Sequence, residues 1–421
     1  MSPEISNNRA NGLTVRCVAE LNIKSLFFME QLKLDLFQAY YDARRNKRNT
    51  INQLRFELDY EHHLLALYEE LANRTYTITK SIAFIVNHPV KREIFAADFR
   101  DRIIHHLIYN YINPVIDLQL IPNCYSCRKG KGTHYAIRQM ADFMRECSEN
   151  YTRDCYVLKL DIRGYFMSIN KKMLWKKLLQ MLEPLTTEHI PGMDKESLLW
   201  LIDLVLWNDP TQSCIVKGKN TDWNGLPATK SLFNNPKDCG LPIGNLTSQL
   251  FSNVYLHDFD RYVKNELGVE YYGRYVDDFV LIHPDKEFLL EMKEKIKSYL
   301  KEYCALDLHP SKVYLQHYHK GFAFLGAYIK PHRIYIGNRT KKKFLQTLSH
   351  IHKQLIRKTP GKNDIASIRS SVNSYLGIMK HYKTYNLRKK CLLNKKHPLL
   401  IFKYGYLKTI PHQSMIYKTN K

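Results

Sequence analysis

The chain has 421 residues, of which 44% are hydrophobic; that is enough for an extensive core, and it excludes disorder as the default state. Lys and Arg outnumber Asp and Glu by 64 to 40, and from Lys341 to Lys421 there are 19 basic residues against one acidic residue. This excess favours nucleic acid as a partner over a merely basic, soluble surface. A membrane partner is not expected, because no apolar signal segment and no run of about 18 apolar residues occurs. Nine scattered cysteines are typical of a reducing cytoplasm.

Hydrophobic periodicity predicts a mixture of helices and strands. In chain order, the predicted elements are helices 26–45 and 56–71, strands 76–84 and 91–95, helices 101–112 and 135–149, strand 156–160, helices 173–181, 196–207 and 245–264, strands 269–276 and 279–283, helix 286–304, two short strands around Gly326 and Pro331, and helices from 341 onward. Residues 208–239 are rich in Gly, Asn, Pro and Asp and are predicted to form an irregular insertion. This order indicates an α+β fold with an antiparallel central sheet and a helical C-terminal region.

Two carboxylate positions indicate a metal site. Asp277 and Asp278 lie at the tip of a hydrophobic hairpin in the segment TyrValAspAsp, and Asp161 ends the apolar strand LeuLysLeuAsp. Buried carboxylates need a compensating cation, and Mg²⁺ binds one or two carboxylates together with substrate phosphates. Two such ions can stabilise the attacking and leaving oxygens of a displacement. Taken singly, the Asp277–Asp278 pair is better explained as a solvated turn, and Asp161 is equally explained as an N-cap.

Other motifs are individually weaker. The segment at 240–249, GlyLeuProIleGlyAsnLeuThrSerGln, is glycine-bearing and precedes a helix; it allows close approach of a base pair or simply ends a turn. Cys124 and Cys127 form one CxxC, and without a second Cys or His pair at zinc-finger spacing we interpret them as incidental thiols.

The order of the motifs is more specific than any one of them. Along the chain come LysLeuAspIleArgGlyTyrPhe, IleGlyAsnLeuThrSerGln, TyrValAspAsp, HisProSerLys and PheLeuGly, with LysArgGluIlePheAlaAlaAspPheArgAspArg and CysArgLysGlyLysGlyThrHis upstream. This series resembles the fingers and palm motifs of reverse transcriptases over about residues 36–388. Within that superfamily the chain is most similar to the enzymes of diversity-generating retroelements. Ile243 and Gln249 depart from the Gln-Gly-xxx-Ser-Pro pattern of intron and retron enzymes.

The resemblance implies roles for individual residues. Asp161, Asp277, Asp278 and the Ile162 carbonyl would hold two Mg²⁺ ions, with Mn²⁺ as an alternative. Phe166 would be the steric gate against a ribonucleotide 2′-OH, unless it is an ordinary core Phe. The remaining nucleotide-binding candidates are Arg92, Ile243, Gly244 and Gln249. Lys312 would protonate the leaving pyrophosphate or is a surface lysine. Template-facing or merely solvated residues are Arg100, Arg102, Arg128 and Lys129.

The resemblance also implies the domain plan and the partners. The plan is a right-hand polymerase: an N-terminal extension at 1–35, fingers at 36–155, a palm with an antiparallel sheet at 156–335 that holds an insertion at about 171–239, a helical thumb at 336–395 and a basic tail at 396–421. The implied partners are template RNA, the cDNA product, dNTPs and a small basic accessory variability protein. The implied setting is a bacterial or phage-encoded cytoplasmic protein.

Three functional hypotheses follow. The first is an RNA-directed DNA polymerase that is error-prone at template adenines, because Ile243 cannot make the hydrogen bond that a Gln makes in related enzymes. The second is a retron or group II intron-type reverse transcriptase. The third belongs to another class, a non-catalytic RNA-binding scaffold, and the presence of all three carboxylates argues against it.

Overall fold

The computed structural model describes residues 30–45, 50–87, 90–357 and 361–392. The predicted N-terminal extension before residue 30 and the basic tail at 396–421 lie outside the described residues. None of the helices that the structure describes is long and apolar enough to cross a membrane.

Helices and strands alternate along the chain. The helices are α1 (30–44), α2 (Ile51–Glu57), α3 (Tyr60–Ala72), α4 (Phe99–Gln119), α5 (Thr133–Cys147), α6 (Tyr165–Ser168), α7 (Lys171–Met181), α8 (Lys195–Trp207), α9 (Leu246–Tyr255), α10 (His257–Arg261), α11 (Lys286–Cys304), α12 (Asn338–Arg357), α13 (Lys362–Met379) and α14 (Tyr385–Leu392). The strands are β1 (Ser81–Val86), β2 (Arg92–Ala96), β3 (Tyr156–Asp161), β4 (Cys214–Val216), β5 (Tyr271–Tyr275), β6 (Asp278–His283), β7 (Tyr314–His317), β8 (Phe322–Phe324), β9 (Ala327–Lys330) and β10 (Arg333–Ile336).

The chain divides into two compact units. Unit 1 comprises the described residues within Met1–Cys127, Asp161–Glu266 and Lys295–Pro310. Unit 2 comprises those within Arg128–Leu160, Leu267–Glu294 and Ser311–Lys421.

Unit 1 contains a three-stranded sheet and most of the early helices. Its strand order is β2-β1-β4, with β1 antiparallel to β2 and parallel to β4. Helix α4 is buried along its length and packs on α9, where the ring of His105 is hydrogen-bonded to the Thr247 hydroxyl at 2.8 Å. Burial lowers the pKa of His105 to about 3, so its imidazole is neutral at pH 7.

Unit 2 contains a four-stranded sheet in the order β5-β6-β3-β7 and a three-stranded sheet in the order β10-β9-β8. Within the larger sheet, β5–β6 and β3–β7 are antiparallel pairs. Helix α12 is amphipathic: Phe344, Leu348 and Ile351, at spacings of four and three, are buried against α13. Lys341 and Lys342 are exposed on the same helix, so its basic side chains face solvent.

Several predicted boundaries were wrong. The strand expected at 76–84 begins only at Ser81, because the Tyr76 hydroxyl and the Thr79 amide both donate to the Asp101 carboxylate, at 2.8 and 2.9 Å. These side-chain bonds replace a strand ladder over residues 76–80.

Two predicted helices are interrupted. The helix expected at 56–71 is divided between α2 and α3 at Asp59, whose backbone has φ −145° and ψ 56°. The helix expected at 245–264 is divided into three parts, which are α9 ending at Tyr255, α10, and a π-helical turn at Tyr262–Glu266. Helix α4, by contrast, extends to Gln119 through Pro114, beyond the expected end at residue 112.

Candidate active site

The Asp-Asp hairpin is held in an unusual backbone conformation. Strands β5 and β6 pair Tyr275 with Asp278, and the turn passes through Val276, whose φ is +60°. A β-branched residue rarely adopts the left-handed region, which costs about 1–3 kcal/mol. The fully buried Arg274 supports the turn, because its Nη1 donates to the Val276 carbonyl at 3.0 Å. The hairpin therefore presents Asp277 and Asp278 on a fixed turn.

Asp161 is the last residue of β3 and is counted with unit 1. It is 9% exposed, and its carbonyl accepts the His309 amide at 2.7 Å. Ile162 lies in an isolated antiparallel bridge with Leu308. The hydrogen bonds of this bridge are made by the Asp161 carbonyl and the Arg163 amide, which flank Ile162. The Ile162 carbonyl is not used in the bridge.

Lys159 is a site residue that sequence reasoning missed. Its Nζ lies 3.1 Å from Oδ1 of Asp278, and the two side chains are 24% and 23% exposed. Such a half-exposed ion pair contributes about 1 kcal/mol or less to folding. Residues two apart on a strand share a face, so the position of Lys159 before Asp161 is the signal that could have identified it.

The candidate nucleotide residues of unit 1 share one apolar cluster. Phe166 and Ile243 pack against buried side chains that include Phe95 and Leu232. The Phe95 amide donates to the Ile243 carbonyl at 2.9 Å, and the Leu241 amide donates to the Phe166 carbonyl at 2.9 Å. The two motifs that were predicted to select the nucleotide are thus joined through the backbone.

Gly244 is required by its surroundings. Its φ is +135°, and a Cβ added there would lie 2.9 Å from the Phe95 carbonyl oxygen. The next residue, Asn245, accepts the Ala97 amide at 3.0 Å. The segment therefore lies directly against the end of β2, an approach that only glycine permits.

A buried carboxylate anchors the insertion, and no motif or spacing in the sequence predicted it. Glu93, on β2, is 1% exposed. Its carboxylate accepts hydrogen bonds from Trp223 Nε1 at 2.7 Å, the Ser231 hydroxyl at 2.8 Å and the Leu232 amide at 2.6 Å. Trp223 and Leu232 belong to the cluster that contains Phe166. The insertion consequently forms one wall around the candidate steric gate.

The basic candidates fall into two groups. Arg92 and Lys129 are exposed, as is Lys312 just before β7. Arg128 and Arg102 are half-buried, and burial lowers the pKa of Arg102.

Arg100 is engaged within unit 1. Its guanidinium forms an ion pair with Glu70, donates to the Thr77 carbonyl at 3.1 Å, and lies 3.4 Å from Asp101. It also stacks over the Tyr76 ring at 4.8 Å. These contacts give Arg100 a structural role, and the contact with nucleic acid expected of it stays a prediction.

The CxxC cysteines are bonded to α9. The Cys124 thiol lies 3.4 Å from Asn253 Oδ1, and the Cys127 thiol lies 3.2 Å from Oε1 of the exposed Gln249. Over the ranges that the structure describes, no group of three or more His, Cys, Asp or Glu side chains is arranged to hold a metal ion.

The sequence matches the family described as reverse transcriptase (RNA-dependent DNA polymerase) over residues 91–329. The match spans more than half of the chain, so the protein belongs to the reverse transcriptase family. Enzymes of this family generally use divalent metal ions. The right-hand polymerase fold expected from the motif order is therefore confirmed at the level of the family.

Individual relatives are distant. Protein YkfC of Escherichia coli is 23% identical over 259 residues, 54% of this chain and 60% of that protein, so the chain spans less than two thirds of its relative's length. Among solved structures, apo telomerase from Candida tropicalis, truncated from its C-terminal domain, has a TM-score of 0.45 at 14% identity and covers 62% of this chain and 55% of its own. Telomerase from Candida albicans, in complex with a fragment of telomeric RNA, has a TM-score of 0.42 at 11% identity, with 75% and 57% covered.

Proposed function

We propose that the protein is an RNA-directed DNA polymerase that copies a template RNA into cDNA from dNTPs. The observation that carries the proposal is the order of strands in the four-stranded sheet. β3 ends on Asp161, and its neighbour β6 begins with Asp278, directly after the strained turn at Val276. Carboxylates at the ends of adjacent strands are what a metal-dependent nucleotidyl transfer requires.

The donor chemistry of these residues fits a hard divalent cation such as Mg²⁺, which prefers carboxylate oxygens. The proposed ligands are Asp161, Asp277 and Asp278, with the Ile162 carbonyl as a further oxygen. Among the described residues these carboxylates are not arranged as a metal-holding group, so the proposal requires their side chains to converge on the ion when it binds. Asp278 is ion-paired with Lys159, so metal binding requires this carboxylate to exchange an ammonium partner for the cation. When bound, such ions activate the attacking hydroxyl and neutralise the developing charge on phosphate.

The other residues of the chain would bind and orient substrate. The exposed Arg92 suits the triphosphate, because guanidinium forms charge-assisted bonds with phosphate oxygens. Phe166, which packs against the cluster that contains Leu232, is proposed as the steric gate against a ribonucleotide 2′-OH. Lys312 is exposed and is proposed as the acid for the leaving pyrophosphate.

Primer extension on an RNA template tests the proposal. Asp277→Asn keeps the size of the side chain and removes its charge, so extension should fall by at least about 100-fold, as expected when a group that stabilises the transition state is lost. Asp203→Asn is the matched control, since Asp203 lies on α8, away from the motifs in sequence. Equal extension by wild type and Asp277→Asn would favour the alternative of a non-catalytic RNA-binding scaffold.

We further propose that the enzyme is of the diversity-generating type and misincorporates at template adenines. Ile243 supports this, because its aliphatic side chain packs with the apolar cluster around Phe166 and cannot donate a hydrogen bond to the nucleotide–template pair. Sequencing of cDNA should show fewer errors opposite adenine for Ile243→Gln than for wild type, and Ile243→Val should behave as wild type. Unchanged adenine errors in Ile243→Gln would instead favour a retron or group II intron-type enzyme.

An enzyme of the diversity-generating type is also proposed to act with a protein partner. A small basic accessory variability protein would raise the yield of cDNA on the template RNA when it is added to the extension reaction. A yield that is independent of the added protein would remove this partner while leaving the polymerase proposal intact.

A further inference from the structure

Unit 2 contains a cavity of about 370 Å³ that none of the motif residues lines. Its walls are the β9–β10 hairpin, the start of α12 and the turn between α13 and α14. Known small-molecule sites have volumes of about 300–1,000 Å³, so this cavity is at the small end of that range. Its size suits one nucleotide and excludes a double helix.

The cavity is strongly basic. Its lining includes Lys330, Arg333, Lys341 and Lys383, and of the described residues that line it none is Asp or Glu. The three lysines are exposed, so their ammonium groups are available to a ligand from solvent. Four cationic side chains without a carboxylate among the lining residues form a site for an anion. In nucleic acids the anionic group that Lys and Arg bind is the phosphate.

The cationic walls are tied together. Arg333 Nη2 donates to the Lys383 carbonyl at 3.3 Å, which joins the hairpin to the turn before α14. The following residue, Thr384, is buried, and its hydroxyl donates to the Met379 carbonyl at 2.7 Å. Because both sides of the cavity are fixed by hydrogen bonds, a ligand would meet a largely preformed site.

Aromatic rings stand beside these cations. Tyr328 and Tyr335 are direct cross-strand partners, so their side chains lie on the same face of the hairpin. Tyr335 is 41% exposed, and the Arg333 guanidinium lies 4.7 Å from the centre of its ring. Tyr382 lines the opposite wall, and burial raises the pKa of its phenol, so it stays neutral. Sequence-independent binding of a single strand combines cations for phosphate with aromatic rings for bases in this way.

We propose that this cavity binds one unpaired nucleotide, with its phosphate among Lys330, Lys341 and Lys383 and its base against Tyr335. The unpaired nucleotide is either part of a single strand of RNA or DNA or a free mononucleotide. Unpairing is essential, because a base can reach an aromatic ring inside a cavity of this size only when it has left its own stack. The site is additional to the polymerase function and does not depend on catalysis.

Binding of the full chain to fluorescent oligonucleotides tests the site. The probes are a single-stranded oligouridylate of roughly 12 nucleotides and a fully paired RNA–DNA duplex of the same length, compared by anisotropy at one salt concentration. Tyr335→Ala should weaken binding of the single strand by roughly 5- to 150-fold, the range for one lost base–aromatic stack, and should leave the duplex nearly unchanged. Tyr335→Phe should bind as wild type.

Two controls are matched to these changes. Tyr303 is 55% exposed, lies on α11 and is not one of the residues that line the cavity, so Tyr303→Ala should leave binding unchanged. Lys341 and Lys353 are both exposed on α12, but only Lys341 lines the cavity. Lys341→Ala should therefore weaken binding of the single strand more than Lys353→Ala.

Each outcome decides the proposal. Wild-type affinity of a folded Tyr335→Ala for the single strand, or an equal loss of affinity for strand and duplex, overturns it. If Tyr335→Ala is unfolded, equal effects of Lys341→Ala and Lys353→Ala overturn it instead.

Competition with uridine monophosphate separates the two sources: displacement at similar concentrations assigns the cavity to free nucleotides, and resistance assigns it to a strand. Because the binding assay contains no dNTP and does not measure extension, loss of primer extension leaves its result unchanged, so failure of the polymerase proposal remains distinguishable from failure of this one.

Discussion

Replacement of Glu93 is the most direct perturbation of the insertion. The Glu93 carboxylate accepts three hydrogen bonds inside the protein, two on Oε2 and one on Oε1, all from residues of the insertion. A hydrogen bond to a charged group contributes about 1.5–3 kcal/mol. Glu93→Ala removes all three, so the free energy of unfolding of the insertion should fall by about 4.5 kcal/mol, taking the lower value for each.

Glu93→Gln is the finer test. Its amide oxygen can keep the two bonds on the Oε2 side, but its NH₂ group then faces the donating amide of Leu232. The expected loss is therefore about 2 kcal/mol, one charge-assisted bond. Trp223→Phe removes a single donor without reversing any dipole, and it should cost about 1.5 kcal/mol, the lower value for one such bond. If the Glu93 carboxylate anchors the insertion, the loss of stability should be largest for Glu93→Ala, smaller for Glu93→Gln and smallest for Trp223→Phe.

The measurement is hydrogen exchange of residues 214–234, with urea unfolding of the whole chain beside it. Hydrogen exchange in this segment should be fastest in Glu93→Ala, slower in Glu93→Gln and slowest of the three in Trp223→Phe. Helices α12 and α13, which belong to unit 2, should keep their protection. Because Leu232 supports Phe166, discrimination between dNTPs and ribonucleotides in primer extension should fall together with protection. Glu188→Ala is the control, since Glu188 is exposed. Unchanged protection in Glu93→Ala would refute the reasoning.

Three further predictions concern other positions. Burial lowers the pKa of His105 to about 3, below its value of about 6.5 in the unfolded chain, so between these values only the unfolded chain binds the proton. The contribution of the neutral His105 to the free energy of unfolding is therefore full above about pH 6.5 and falls by about 1.4 kcal/mol per pH unit toward pH 3. Urea unfolding at several acidic pH values should give His105→Gln a shallower dependence, and parallel curves would contradict this account. Gly244→Ala should abolish most primer extension, because its Cβ has no room, whereas Gly132→Ala, at a similar φ of +131° but with open space around it, should retain more; the reverse order would exclude the close approach as the cause. Arg274→Met should lower the free energy of unfolding by about 1–3 kcal/mol, since it leaves the Val276 carbonyl without a bond from this side chain, and a neutral result in urea unfolding would remove Arg274 as the support of the turn.

Local patterns were enough for the elements that carry the motifs. The pattern of apolar residues predicted α11 at its observed bounds and placed β3, β2 and α8 within a residue or two, because a helical or strand period, or a short apolar run as in β3, is a local property. The ends that were missed are those at which a distant side chain intervenes, as Asp101 does for residues 76–80. A window of local sequence contains no information about such a partner.

The sequence by itself determined the family, because the motifs and their order are properties of the chain. It also determined which residue types could meet a metal or a triphosphate. Only the tertiary structure decided which side chains surround them. The ion pair of Lys159 with Asp278, the hydrogen bonds from the insertion to Glu93, and the packing of Phe166 and Ile243 in one cluster all depend on contacts between segments far apart in sequence. The basic cavity beside Tyr335 has the same origin, since a hairpin, a helix start and a turn from three separate segments form its walls. Burial and pairing are set by these long-range contacts, and no local propensity encodes them.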